Sequence, residues 1–362
     1  MLKINYSPIS PVFTSAIPTQ ITITTDSNTA VTLTVEIEGA AGFTTTLYPY
    51  DGKAVFHDLR SIIEQSLLAS NNRQYAAVIL SAKQGDASAS TSECVFIFSR
   101  LALSASGLTF TPEQFLTTAQ SFLLPRNATQ YLSFFATSQC TSDDYTDCVV
   151  RPSDGNMPKT VRISDGTNTV QANSLYTFSV SPASLQEKVK ADGTLLAFTV
   201  HRGGRSKTFY LSDKAPDISL LLLNEFLAPE YVHLHAVTKT KLSLDRSFAT
   251  SQGSLSFYDD NSADEYETES AMLTPYEAKR LSRLLLSPTI KVSLNDSASR
   301  SSSLLTRTYT PIIITDLSSE ISDAHNATNT LKFQWKYRTP QFLHTVPTHR
   351  NNFDDPFSSP FD

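Results

Sequence analysis

The sequence predicts a mainly β protein with a few short helices, built as tandem β-sandwich-like domains. Three observations lead there. Charged residues make up only 18 %, below the usual ~25 %, and Ser and Thr take much of their place. Thr, Val, Ile, Phe and Tyr, which suit pleated half-buried surfaces, are plentiful. Several short stretches alternate apolar and polar residues with period two. At about 150 residues per domain, a chain of 362 residues forms two or three domains. Its 40 % hydrophobic and 10 % aromatic content is enough to bury real cores.

Residues 1–103 read as an N-terminal β-sandwich-like domain with one helix. Val31, Leu33, Val35 and Ile37 alternate with Thr32, Thr34, Glu36 and Glu38, which puts one face in a core and one in water. Residues 20–25 and 43–48 are neighbouring strands, and Asp51-Gly52 marks a turn. Val55, Phe56, Leu59, Ile62, Ile63 and Leu67 recur at three- and four-residue spacing, the mark of an amphipathic helix. Asp58 stands where its N-cap belongs. Strands near 75–83 and 94–99 complete the domain. Residues 104–125 form a connection, in which Thr111-Pro112-Glu113-Gln114 opens a short helix that Pro125 ends.

Residues 126–245 repeat the plan as a second β-sandwich-like domain. Strands fall at 131–136, 175–180, 195–200 and 207–211, with polar loops around Asp154-Gly155 and Asp165-Gly166. Gly203-Gly204 suits a tight hairpin turn, which needs positive φ. Ile218 to Phe226 is an apolar run, helical or buried, that Pro229 stops; 231–244 read as strands.

Residues 246–340 form a third β-rich domain with one capped helix. A strand at 254–258 leads into an acidic loop carrying Asp259, Asp260, Asn261, Asp264, Glu265, Glu267 and Glu269. Thr274 as N-cap, Pro275 at the first helical position and Glu277 closing a capping box define the clearest helix in the chain. Leu281, Leu284 and Leu285 give it an apolar stripe, and Pro288 ends it. Strands return at 289–294, 307–315 and 330–338. In the last, Leu331, Phe333, Trp335 and Tyr337 alternate with Lys332, Gln334, Lys336 and Arg338, so Trp335 faces a core and the cations form the wet face of an edge strand.

Residues 341–362 form an extended C-terminal arm without periodic structure. Aromatics, acids and prolines are scattered through it, a composition that does not fold alone. Phe353, Phe357, Phe361, Asp354 and Asp362 are the candidate inter-subunit docking residues, in a peptide that orders on a neighbouring subunit.

The search for chemistry returns little. The chain holds no G-x-G-x-x-G, phosphate-binding loop, H-E-x-x-H or G-x-S-x-G. His233 and His235 share one strand face, yet zinc needs three or four ligands and no third is at hand. The acidic stretch has oxygens suited to calcium but neither the spacing nor the central glycine of an EF-hand. Asn-x-Ser/Thr at Asn127, Asn295 and Asn326 is expected by chance in so Ser/Thr-rich a chain. No catalytic residue, metal or cofactor is assigned, and the chain reads as a non-enzyme. A net charge of −6 with a pI near 5.7 offers no surplus of cations for phosphates, so no nucleic-acid partner is expected. No membrane partner is expected either: there is no stretch of 18 apolar residues and no signal-like start, which predicts a chain made in the cytoplasm. Cys94, Cys140 and Cys148 are odd in number and lack C-x-x-C. They read as free thiols, with a Cys140–Cys148 bridge open in an oxidising setting.

Four segments carry a resemblance. They are Ile17–Ile23 with Tyr48-Pro49-Tyr50-Asp51-Gly52-Lys53-Ala54; Leu220–Phe226 followed by Pro229-Glu230-Tyr231-Val232; Leu273-Thr274 with Glu277-Ala278 and Leu286-Ser287-Pro288; and Ile313-Ile314-Thr315-Asp316 followed by Phe333-Gln334-Trp335 and a Phe-Asp-rich end. In this order they resemble a family of uncharacterised proteins from the structural gene region of Bacteroidetes phages and prophages. The resemblance implies a virion tail or baseplate protein, a ring or adaptor component, assembled in the host as a symmetric homo-oligomer with other tail proteins. Its alternative is a host-surface glycan-binding module of a tail or adhesin.

Overall fold

The computed structural model describes residues 1–101, 114–251, 254–294, 309–318, 321–322 and 328–338, with the backbone alone at 140 and 242–263. The protein is mainly β, with sandwich-like units in tandem and three α-helices among the described residues.

In the first unit a three-stranded sheet (Lys3–Ile4, Ile21–Thr24, Lys53–Phe56) faces a six-stranded one. The latter is built around Val31–Ile37 and Tyr75–Gln84. Val31, Leu33, Val35 and Ile37 are buried and their polar neighbours are not, as period two requires. Helix α1 (Leu59–Ala69) sets Leu59, Ile63 and Leu67, four residues apart, into the same core. Val55 and Phe56, expected in this helix, end the strand Lys53–Phe56 with only alternate residues buried. Asp58 is at the N-cap position but its side chain makes no capping hydrogen bond.

The second unit pairs a five-stranded sheet with the two-stranded Gln130–Ala136 and Ser174–Val180. Phe122, Phe134, Phe198 and Phe209 fill the space between. Two long strands, Cys140–Arg151 and Lys159–Val170, stand where polar loops were expected. Their inward positions include Asp144 and Thr146 beside Cys148 and Val150, so the alternation is disguised. Asp165-Gly166 lies inside Lys159–Val170, beside a break in register, and Asp154-Gly155 does make a turn. Helix α2 (Pro182–Val189), which the sequence reading did not place, opens on Pro182 and buries Leu185 and Val189. Gly203 and Gly204 form the expected hairpin, with φ of +54° and +76°.

Within the expected connection, Ser121–Pro125 is a strand parallel to Arg205–Ser212 and not a helix end. The proposed cap at Thr111 lies outside the described residues.

The third unit is a seven-stranded sheet covered by helix α3 (Pro275–Leu284). Its strand order is Pro229–Leu234, Ile218–Leu223, Ile290–Leu294, Thr310–Ser318, Lys332–Tyr337, Ser254–Ser270, Ala236–Ser251. The capping box of α3 forms as the sequence implies: Glu277 N donates to Thr274 Oγ1 at 3.2 Å and Thr274 N to Glu277 Oε2 at 3.0 Å. Ile218–Leu223 is a strand, its apolar run explained by cover on both faces. This sheet therefore takes in residues that the sequence reading placed in the second segment, and position 245/246 falls inside the strand Ala236–Ser251. The acidic stretch from Asp259 to Glu269 is not a loop but part of the strand Ser254–Ser270.

Two thiol questions resolve on this geometry. Cys140 and Cys148 lie eight residues apart on one strand, roughly 26 Å at ~3.3 Å per residue. A disulfide needs Cα atoms within about 7 Å, so they do not bridge within one chain. Cys94 and Cys148 are buried free thiols; burial pushes both up, Cys148 to about 11. Among the described residues no helix is long and apolar enough to cross a membrane.

Trp335, fully buried, donates its indole N–H to Thr268 Oγ1 at 2.9 Å and stacks on Tyr266. Thr268→Val keeps the shape but leaves that donor unsatisfied, so it should lower stability by about 1–3 kcal/mol in urea denaturation. A loss below about 0.5 kcal/mol would show that the bond contributes little.

Candidate functional site

The most unusual chemistry in the molecule sits where the three units meet, and it is organised by one turn. Residues 224–228 join the strands Ile218–Leu223 and Pro229–Leu234. Leu227 has φ +56°, a left-handed conformation that costs a non-glycine residue roughly 1–2 kcal/mol. The Asn224 side chain offsets this. Its Oδ1 accepts from Phe226 N at 3.0 Å and Ala228 N at 3.1 Å. Its Nδ2 donates to Leu116 O at 2.8 Å and Glu230 Oε2 at 3.1 Å.

Each unit grips this turn. Gln74 Nε2 donates to Leu227 O at 2.7 Å and Arg100 N to Glu225 O at 3.0 Å. Leu227 enters the first unit's core, while Phe226 enters a smaller cluster with Phe13, Ile97, Leu116 and Phe135. From the second unit, Gln130 bonds both polar groups of the Tyr231 backbone, at 2.8 and 2.7 Å.

Beside the turn lies a buried charge cluster. Glu230, 1 % exposed, pairs with Arg280 of α3. Thr117 Oγ1 donates to Glu230 Oε2 at 2.9 Å. Thr118 Oγ1 donates to Glu225 Oε1 at 3.1 Å and accepts from Arg280 Nε at 3.2 Å. Tyr276 donates its hydroxyl to Thr118 O, and Lys207 Nζ donates to Ala119 O at 2.7 Å. Burial works to deprotonate Arg280, but the charges of Glu230 and Glu225 outweigh it and hold the guanidinium cationic. Burial, then repulsion from Glu230, pushes the Glu225 carboxyl up. Burial also lowers Lys207.

Glu230 is closed to any substrate: both oxygens are partnered and nothing reaches it from solvent. Glu225 differs. It is 5 % exposed, its Oε2 has no hydrogen bond among the described residues, and it lines a cleft of about 400 Å³ with Arg60, Arg100 and Arg283. The cluster thus joins the units on one side and offers a cationic cleft on the other.

The residues singled out from sequence fare differently. His233 Nδ1 meets Ser219 Oγ at 2.9 Å and His235 Nδ1 lies 3.5 Å from Asp217 Oδ2, so the two imidazoles serve separate contacts. Among the described residues no group of three or more His, Cys, Asp or Glu is placed to hold a metal. Phe353, Phe357, Phe361, Asp354 and Asp362 lie outside the described residues. The sequence assigned no site role to Thr117, Thr118, Asn224, Glu225, Glu230 or Arg280. A signal was present: Asn224, Glu225 and Glu230 interrupt an apolar run, and such groups are rarely buried unless paired.

Neither a protein-family model nor any curated protein matches the chain. One similar solved structure is described as the calcium binding domain CBD12 of CALX1.1. It shares 9 % identity over 56 % of this chain and 78 % of its own, with a TM-score of 0.18, a likeness too slight to carry an argument about fold or function.

Two predictions follow from the cluster. Arg280→Met leaves Glu230 buried and unpaired and should cost about 3–5 kcal/mol in denaturant unfolding, while adding Glu230→Leu should recover much of it. Glu225 titrates with a raised folded value. Its contribution to stability is therefore full below the ordinary 4.5 and is lost as pH rises through the folded value. Glu225→Gln should flatten that fall when urea midpoints are compared from pH 4.5 upward; parallel curves for the two proteins would refute the assignment.

Proposed function

We propose that the chain is a structural, non-enzymatic subunit of a phage tail or baseplate, a ring or adaptor component that assembles with copies of itself and with other tail proteins. The observation that carries this reading is the ribbon formed by Ala236–Ser251 and Ser254–Ser270. The two strands pair along their whole length. A third strand, Lys332–Tyr337, covers only Tyr266 to Glu269. From Lys241↔Glu265 to Ser251↔Ser254 the ribbon runs two strands wide among the described residues, roughly 34 Å at ~3.4 Å per residue. A lone two-stranded hairpin is marginal in water, so a ribbon of this length suits contact with a neighbouring subunit. The strand Ala236–Ser251 ends its sheet, which leaves an edge for strand addition. Identical subunits joined through such contacts close into rings when the rotation allows. The order of the four resembling segments supports the virion setting.

Light scattering after size exclusion tests this. The full chain should run as a defined oligomer, and replacing residues 243–262 by an Asn-Gly turn should give a folded monomer. A strictly monomeric full chain that binds no tail protein would overturn the reading.

A second reading, a host-surface glycan-binding module, draws on Tyr48 and Tyr50, which are 79 % and 87 % exposed and offer flat faces on which a sugar ring could stack. A glycan array should separate the two: binding lost in Tyr48→Ala/Tyr50→Ala supports the second, and an array without signal leaves the first.

A further inference from the structure

We propose that residues 341–362 dock into the arginine-lined cleft of their own chain, with their aspartates on the arginines and their phenylalanines on its apolar rim.

The cleft is built for an acidic, partly apolar occupant. In a chain of net charge −6, it gathers Arg60, Arg100 and Arg283. Only Arg60 has a carboxylate partner among the described residues, Glu64 at 2.8 Å. Arg100 uses one N–H on Leu286 O at 2.8 Å and keeps others free to meet a carboxylate. Guanidinium and carboxylate match in a bidentate fork. The apolar rim is Leu286, 64 % exposed; Leu101, also in the lining, is 4 % exposed. Glu225 also lines the cleft, but it is 5 % exposed and already accepts from Thr118, so the three guanidiniums set the sign of the opening.

Of the segments outside the described residues, 295–308 leave the sheet at Leu294 but set one acid, Asp296, against Arg300 and Arg307. Residues 102–113 follow Leu101 directly, but their sole acid is Glu113. Residues 341–362 bring Asp354, Asp355 and Asp362 together with Phe353, Phe357 and Phe361, which matches both halves of the cleft. Arg350 precedes this acidic run and is separate from it.

The sheet register places this segment close to the cleft. Leu222 is opposite Ile290, Ile290 opposite Ile312, and Ile312 opposite Tyr337. Three inter-strand steps of ~4.8 Å put Tyr337 roughly 14 Å from Leu222, whose neighbour Leu223 lines the cleft. The chain leaves the sheet just beyond, at Arg338. A short tether gives effective concentrations in the millimolar range, which favours the cleft of the same chain over that of another copy at micromolar concentration. Docking in the same chain does not depend on the virion reading, and it takes the place of the neighbouring subunit that the sequence suggests for Phe353, Phe357, Phe361, Asp354 and Asp362.

A photo-crosslinking residue in place of Phe353 in the full chain, used in a mixture of isotopically heavy and light protein, tests it. Cross-links should join position 353 to peptides containing Leu101 or Leu286, within chains of one isotope. Their yield should fall about tenfold in Arg283→Glu, equivalent to about 1.4 kcal/mol. It should return when Asp354→Lys and Asp355→Lys are added, a rescue that loss of folding would not allow. Cross-links that miss the cleft, or that join heavy to light chains, would overturn the proposal. So would a yield unchanged by Arg283→Glu.

Discussion

The structure depends on one constraint: Glu230 is taken out of water and Arg280, its side chain 16 % exposed, mostly so, and everything around them must satisfy their charges. Arg280 comes from α3 and Glu230 from the strand that follows the turn. Thr117 supplies a further donor to Glu230, and Thr118 accepts from Arg280 while bonding Glu225. These partners belong to segments far apart in sequence. The pair therefore fixes how the connection lies against the third unit. Asn224 ties the same connection to the turn, and Gln74 and Arg100 tie the turn to the first unit.

A buried pair of this kind contributes little net stability, because desolvation offsets most of the attraction. What it provides here is a penalty for any other arrangement. A slip of the connection by one residue would move Thr117 and Thr118 off their carboxylates and leave charges unpaired. The apolar cluster of Phe13, Leu116, Phe135 and Phe226 supplies attraction between the units without such direction. Together they give a defined body, and the Ala236–Ser251/Ser254–Ser270 ribbon belongs to the third unit's sheet.

Much of the β architecture was legible because the solvent face and the core face differ in polarity. Val31 to Ile37 alternates cleanly, and the α3 capping box is written in Thr274, Pro275 and Glu277. The failures have physical causes. In Cys140–Arg151 the inward face carries Asp144 and Thr146, whose partners Asn168 and Asp165 lie across the sheet. Ile218–Leu223 is covered on both faces, so its apolar run shows no period. The acidic stretch 259–269 has composition typical of a loop, yet cross-strand pairing of Lys239 with Glu267 and Lys241 with Glu265 fits it to a ribbon. The junction was least legible of all. Thr117, Glu230 and Arg280 meet only in three dimensions, and no local pattern announces it.

The turn and its charge pair hold the three units as one cooperative body. Calorimetric unfolding of the intact chain at neutral pH tests this most directly. One transition with equal calorimetric and van't Hoff enthalpies is predicted. Two or more separable transitions, with the first unit melting independently of α3, would contradict it.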